Sequence, residues 1–141
     1  MARVVRLVTV ADVNEDADAR RISVSVRHEA VLNDGRRMLL LDDRGWSEAL
    51  GGAGANEVTE IWALTSEQDI AETARVVVGP DEPFDGRSQD DMDTDHWNAL
   101  AKDLRALGVV VDAGELKQLP HDVVLSEPLL ARLSRGSGDA A

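Results

Sequence analysis

RISVSVRHEAVLNDGRRMLLLD, residues 21 to 42, is the stretch from which the fold can be read. From Arg21 to Leu32 the residues alternate. Ile22, Val24, Val26, His28, Ala30 and Leu32 fall on one side, and Arg21, Ser23, Ser25, Arg27 and Glu29 on the other. Successive side chains leave a pleated backbone on opposite faces, so a period of two predicts a strand over 21–32 with one face buried. Asn33-Asp34-Gly35 follows, and these residue types tolerate the positive φ that a tight hairpin requires. A third strand is expected at 36–42. Its register is left open: a two-residue loop sets Leu39 and Leu41 on the His28 side, whereas a three-residue bulged loop sets Met38 and Leu40 there.

Toward the N-terminus, residues 3–11 are apolar and rich in β-branched side chains, which predicts a strand antiparallel to 21–32 across the acidic connection 12–20. Toward the C-terminus, the small residues of SEALGGAGAN (47–56) read as a loop, and Val58, Ile61, Trp62 and Leu64 allow a fourth strand at 57–64. Helices are then expected. Thr65 to Gln68 resembles a capping box, and Ile70, Ala71, Ala74, Val77 and Val78 recur at helical spacing, giving a helix over 66–78. Residues 79–92, with two Pro and two Gly, form an irregular linker. Trp97, Leu100, Ala101, Leu104 and Leu107 make one face of a helix over 94–107, with Gly108 as its C-terminal cap. Short helices follow at 113–119, started by Asp112 and stopped by Pro120, and at 127–133, started by Ser126. Strands first and helices after predict an α+β fold: an antiparallel meander of three or four strands with three or four helices packed on it, a single domain over 1–133, and a disordered tail at 134–141.

Composition narrows the function classes. A chain of 141 residues suits one domain, and its 43% apolar content suits a packed core. Trp46, Trp62, Trp97 and Phe84 are the only aromatics, too few for a base-stacking or sugar-binding platform. There is no Cys, which removes disulfides, thiolate nucleophiles and zinc–thiolate sites, and there is no run of apolar residues suited to a signal peptide or membrane span. These features predict a cytoplasmic protein without a membrane role. The basic residues are Arg except for Lys102 and Lys117, a usage typical of high-GC bacteria. The net charge is −12; residues 1–44 balance eight Arg against eight acids, so all the excess lies beyond them. Such a field repels phosphate backbones, and nucleic acid is not an expected partner.

The candidate chemistry is sparse. Asp91, Asp93 and Asp95 alternate as in a Ca²⁺ or Mg²⁺ loop, but His96 stands where the loop needs Gly and Lys102 where it needs a bidentate Glu, so helix capping is the preferred reading. His28-Glu29 lacks the second His of a zincin helix. His28 is nevertheless the one titratable group within an apolar pattern, and it is the candidate general base. Convergence of His28, His96 and His121 on a metal has no ligand spacing in its favour. Gly51-Gly52-Ala53-Gly54 lacks the Lys and the following helix of a phosphate loop. Arg27 and Arg37 are candidate anion contacts beside His28, and Trp46 and Trp62 are candidate interface anchors. No cofactor is implied. These features favour a non-catalytic protein-binding or regulatory module, with a homodimer as one form of it, over an enzyme. The alternatives are an enzyme or small-ligand binder with a pocket around His28, or an acidic protein that sequesters a basic partner.

Overall fold

In the computed structural model, which describes residues 2–49 and 60–137, strands β1 (Val4–Val13), β2 (Arg21–Leu32) and β3 (Arg37–Ala49) pair antiparallel in sequence order. The turn between β2 and β3 is three residues long. Leu32 N–H donates to Arg36 O, and Gly35, at φ 87°, donates back to Leu32 O. A side chain at Gly35 would be strained by that φ alone. This is the bulged hairpin, and it sets Met38 opposite Ala30. Two further irregularities flank His28: Glu29 pairs with Leu39 but His28 with Leu41, and Val26 with Arg44. The extra residue at Leu40 shifts the phase of β3, so Met38, Leu40 and Leu41 all pack toward the helices and the two registers left open by the sequence both occur in part.

The sheet is not a pure meander. Strand β4 (His121–Leu125) was not expected from the sequence; it lies parallel to β1, pairing Leu7 with His121 and Ala11 with Leu125, in the order β3-β2-β1-β4. The proposed strand at 57–64 is replaced by a 3-10 helix at Ile61–Leu64, while 57–59 and the Gly-rich loop 50–56 lie outside the described residues. Trp62 explains the 3-10 turn. Its indole donates to Asp18 O at 3.0 Å, Arg132 lies over its ring at 5.1 Å and also pairs with Glu60, and Ile61 N–H donates to Ala19 O. An extended segment would not bring both the ring and the backbone to the 14–20 loop.

Helix α1 (Glu67–Val77) starts one residue later than the sequence suggested, because Ser66 and Asp69, rather than Thr65 and Gln68, form the capping box. Helix α2 (Gln89–Ala106) begins five residues before the expected 94. Ser88 and Asp91 close its capping box inside the stretch read as linker. Helix α3 (Ala113–Gln118) is capped by Asp112, and α4 (Glu127–Ser137) continues four residues into the expected tail.

All the helices lie on one face of the sheet. Leu100 and Leu104 of α2 and Leu116 of α3 cover Leu7, Ala30 and Leu32 in one cluster. Ile61, Trp62, Ile70, Ala74 and Leu129 cover Ala11, Val24 and Val26 in another. Leu41 touches both clusters. None of the described helices is long and apolar enough to cross a membrane.

Candidate functional site

Where the two apolar clusters meet, the core is polar. Thr9 at the centre of β1 faces His28 of β2 across one ladder, and His121 opens β4 on the other side. Thr9 Oγ1 lies 2.9 Å from His28 Nδ1 and 2.6 Å from His121 Nε2, and the two rings meet edge to face with centroids 5.1 Å apart. The hydroxyl has one hydrogen and two lone pairs, so it donates to one ring nitrogen and accepts N–H from the other. Two neutral imidazoles in the same tautomer, both Nδ1–H or both Nε2–H, satisfy both contacts to the hydroxyl. Burial, reinforced by the neighbouring imidazoles of His121 and His96, pushes His28 down to about 3. His121 is lowered by burial and by Arg75, whose guanidinium donates to His121 O, against an opposing pull from Asp122.

His28 is 1% exposed. A general base must come within hydrogen-bond reach of a substrate proton, and a neutral imidazole sealed between Thr9 and His121 acts instead as a bracket joining three strands. His28 and His121 therefore converge, with His96 close enough to influence His28, yet no group of three His, Asp or Glu among the described residues has metal-holding geometry.

Of the three aspartates of α2, Asp93 points away from Asp91 and Asp95, which are one turn apart. Asp91 closes the box on Ser88, Asp93 accepts from Gln89 and lies 3.9 Å from Lys117, and Asp95 pairs with Arg87. Residues two apart on a helix do not share a face. Trp62 is fully buried, so it is a core anchor and offers nothing to a partner. Trp46 is half-buried and lines a groove of about 400 Å³ with Thr65, Asp69 and Thr73.

Among the described residues, no helix lies over the other face of the sheet. The register aligns Arg6, Val8 and Val10 of β1 with Arg27, Glu29 and Val31 of β2, and with Asp122 and Val124 of β4. Val8 and Val31 are buried yet belong to neither helix-side cluster. Leu39 of β3 and Val124 of β4 remain 45% and 49% exposed at opposite edges of this face, and Val124 lies beside Val10 of β1 in a short apolar strip. Around this apolar strip the charges pair off. Glu29 accepts from Arg37 at 3.3 Å and lies 3.5 Å from Arg27, and Arg6 bonds Asp122 at 3.3 Å. Arg27 and Arg37 are thus brought together by a carboxylate of their own chain, on the face of the sheet opposite His28. The strip was missed in the sequence because Val8, Val10 and Val124 sit in runs that are apolar on both sides, where periodicity cannot tell an open face from a covered one.

No family model, curated protein or solved structure matches the chain.

Proposed function

We propose that this chain is a non-catalytic, cytoplasmic protein-binding module that self-associates through the open face of its sheet. The observation that carries the reading is the one-sided packing: four helices and a 3-10 turn cover one face, while on the other, among the described residues, exposed Val124 of β4 pairs with half-buried Val10 of β1 in a short apolar strip, and Leu39 is exposed at the opposite edge. A sheet face left half apolar gains by meeting another surface.

Charge argues for a second copy as the occupant. The molecule carries −12 overall, so most approaches of one copy to another are repelled. On the open face Arg6, Arg27 and Arg37 stand among Glu29 and Asp122, and the ion pairs leave little net field. A two-fold axis through such a face can set arginines of one copy against acids of the other, which is the self-complementarity an isologous dimer needs. Strands of ten or so residues, about 5 Å apart and rising about 3.3 Å per residue, give the face an extent of roughly 30 by 15 Å. That is at the small end of specific interfaces, and a micromolar rather than nanomolar dimer is expected. The same pairing disfavours nucleic acid, because the arginines that would meet phosphate are already engaged.

Sedimentation equilibrium tests the proposal directly. The wild type should be dimeric at about 100 µM, and Val124→Glu, which places a charge on the strip without touching either core cluster, should be monomeric with an unchanged thermal melt. A wild type that stays monomeric at that concentration, or a Val124→Glu protein that dimerises as well as the parent, would remove the proposal.

A further inference from the structure

A cavity of about 250 Å³ lies where the edge strand β3, the helix α2 and the segment 79–88 come together. It is set on the helix side of the sheet, away from the open face. In its wall, His96 Nε2 is buried and has no hydrogen-bond partner among the described residues, while the ring meets Trp97 edge-on at 4.9 Å. A buried ring nitrogen without a partner is costly, and it marks a place where a polar atom from outside the chain is wanted. Burial and the adjacent Arg44 lower the pKa of His96, so the ring there is neutral and offers one donor or acceptor rather than a charge.

Charges of both signs surround that nitrogen. Arg44 donates to Val77 O at 3.0 Å and lies 3.5 Å from Asp81; Arg87 pairs with Asp95. An anionic ligand would meet the two aspartates as well as the arginines, and a cationic ligand would meet the arginines as well as the aspartates. A molecule bearing a carboxylate and an ammonium one carbon apart can exchange the internal ion pairs for external ones without stranding either partner. The rest of the wall is apolar at Met92, Leu100 and the half-exposed Phe84 and carries one further carboxylate, Asp103. The volume is below that of drug-sized pockets, which begin at about 300 Å³, and suits a ligand of about ten heavy atoms.

The geometry points to a binding site for a free α-amino acid with an aliphatic side chain. Its carboxylate lies at Arg87 and Arg44, its ammonium at Asp95 and Asp81, its side chain against Met92 and Leu100, and one of its polar atoms completes His96 Nε2. The site uses none of the residues of the dimer face, so the two proposals stand or fall separately.

Isothermal titration of the full chain with L-leucine, 4-methylpentanoate and 3-methylbutylamine tests it, the last two lacking the ammonium and the carboxylate respectively. Leucine should bind saturably and each control at least about tenfold more weakly, the change expected for losing one charge-assisted contact. Arg87→Gln and Asp95→Asn, both at the cavity mouth, should each weaken leucine by about tenfold. The ¹⁵N signal of His96 Nε2 should move on leucine addition while that of His28 stays. Absence of saturable heat with leucine, isoleucine and valine at millimolar concentration would mean that the cavity holds water only and would overturn the assignment. Equal binding of 4-methylpentanoate, or an unmoved His96 signal, would overturn it too.

Discussion

Thr9 has a single hydroxyl hydrogen to share between two imidazoles, and this makes the centre of the sheet sensitive to protons. With both rings neutral the hydroxyl donates once and accepts once. A proton on one ring keeps both contacts, since the hydroxyl accepts from that ring and donates to the other, but it brings a charge into the core; a proton on each ring would also leave the hydroxyl hydrogen without a ring acceptor. The folded pKa of His28 lies near 3, below the ordinary 6.5, so between those values the unfolded chain binds a proton that the folded chain refuses. Stability is then full above about pH 6.5 and falls as pH drops, by up to about 1.4 kcal/mol per pH unit for one such proton. The groups facing the cluster are His121 and His96, with Arg75, Asp122, Arg44, Asp81 and Asp93 around those two rings. Urea denaturation of the wild type between pH 7 and 5, above the range of ordinary carboxylates, should show this slope, and His28→Gln should flatten it. An equally steep His28→Gln profile would assign the pH dependence elsewhere. The position of His28 on the buried face was legible from the alternation of residues 21–32, but its partners were not. His121 lies 112 residues from Thr9 in the chain, on a strand that pairs parallel.

At the scale of elements, the strand β3 shows how a backbone contact extends what a sequence pattern ends. The apolar run stops at Asp42, yet β3 continues to Ala49, pairing through Gly45 and Trp46 with Ser25 and Val24. Gly45 permits this: a Cβ there would lie 2.5 Å from Val24 O and 3.2 Å from Ser25 Cα, closer than any side chain can sit. Gly45→Ala should therefore force β3 away from β2 and cost about 1–3 kcal/mol, measured as a lower urea midpoint with an unchanged slope. A neutral substitution would show that the edge of the sheet relaxes freely. The helices present the opposite case, since their starts are local events. Ser66 with Asp69, Ser88 with Asp91, and Asp112 with the Glu115 N–H can each be read from four consecutive residues. The start of α2 was misplaced only because its box follows a Pro- and Gly-bearing segment. Strand β4, five residues after Pro120, carries too little pattern to be found alone.

For the whole molecule, charge and one-sided packing act against each other. Two copies at −12 repel at a distance, while in the proposed dimer the open sheet face would attract once they touch. Salt screens the long-range repulsion more than the short contacts of an apolar strip, so dimerisation should strengthen as ionic strength rises from about 0.02 to 0.3 M, where the Debye length falls below about 10 Å. Weakening with salt, followed by sedimentation, would mean that intermolecular ion pairs rather than the strip hold the dimer.

By itself the sequence determined the α+β class, the β2–β3 hairpin with its Asn-Asp-Gly turn, the buried face that carries His28, and the amphipathic cores of α1 and α2. Each of these depends on residues close together in the chain, where backbone geometry translates spacing directly into direction. Tertiary structure alone decided that His121 would meet Thr9, that Trp62 would be sealed beneath Arg132, that Arg37 would share Glu29 with Arg27, and that all the described helices would pack on one face of the sheet. Those outcomes depend on which distant segments pack together, and packing is chosen by the burial of the whole apolar surface at once, a sum that no local stretch contains.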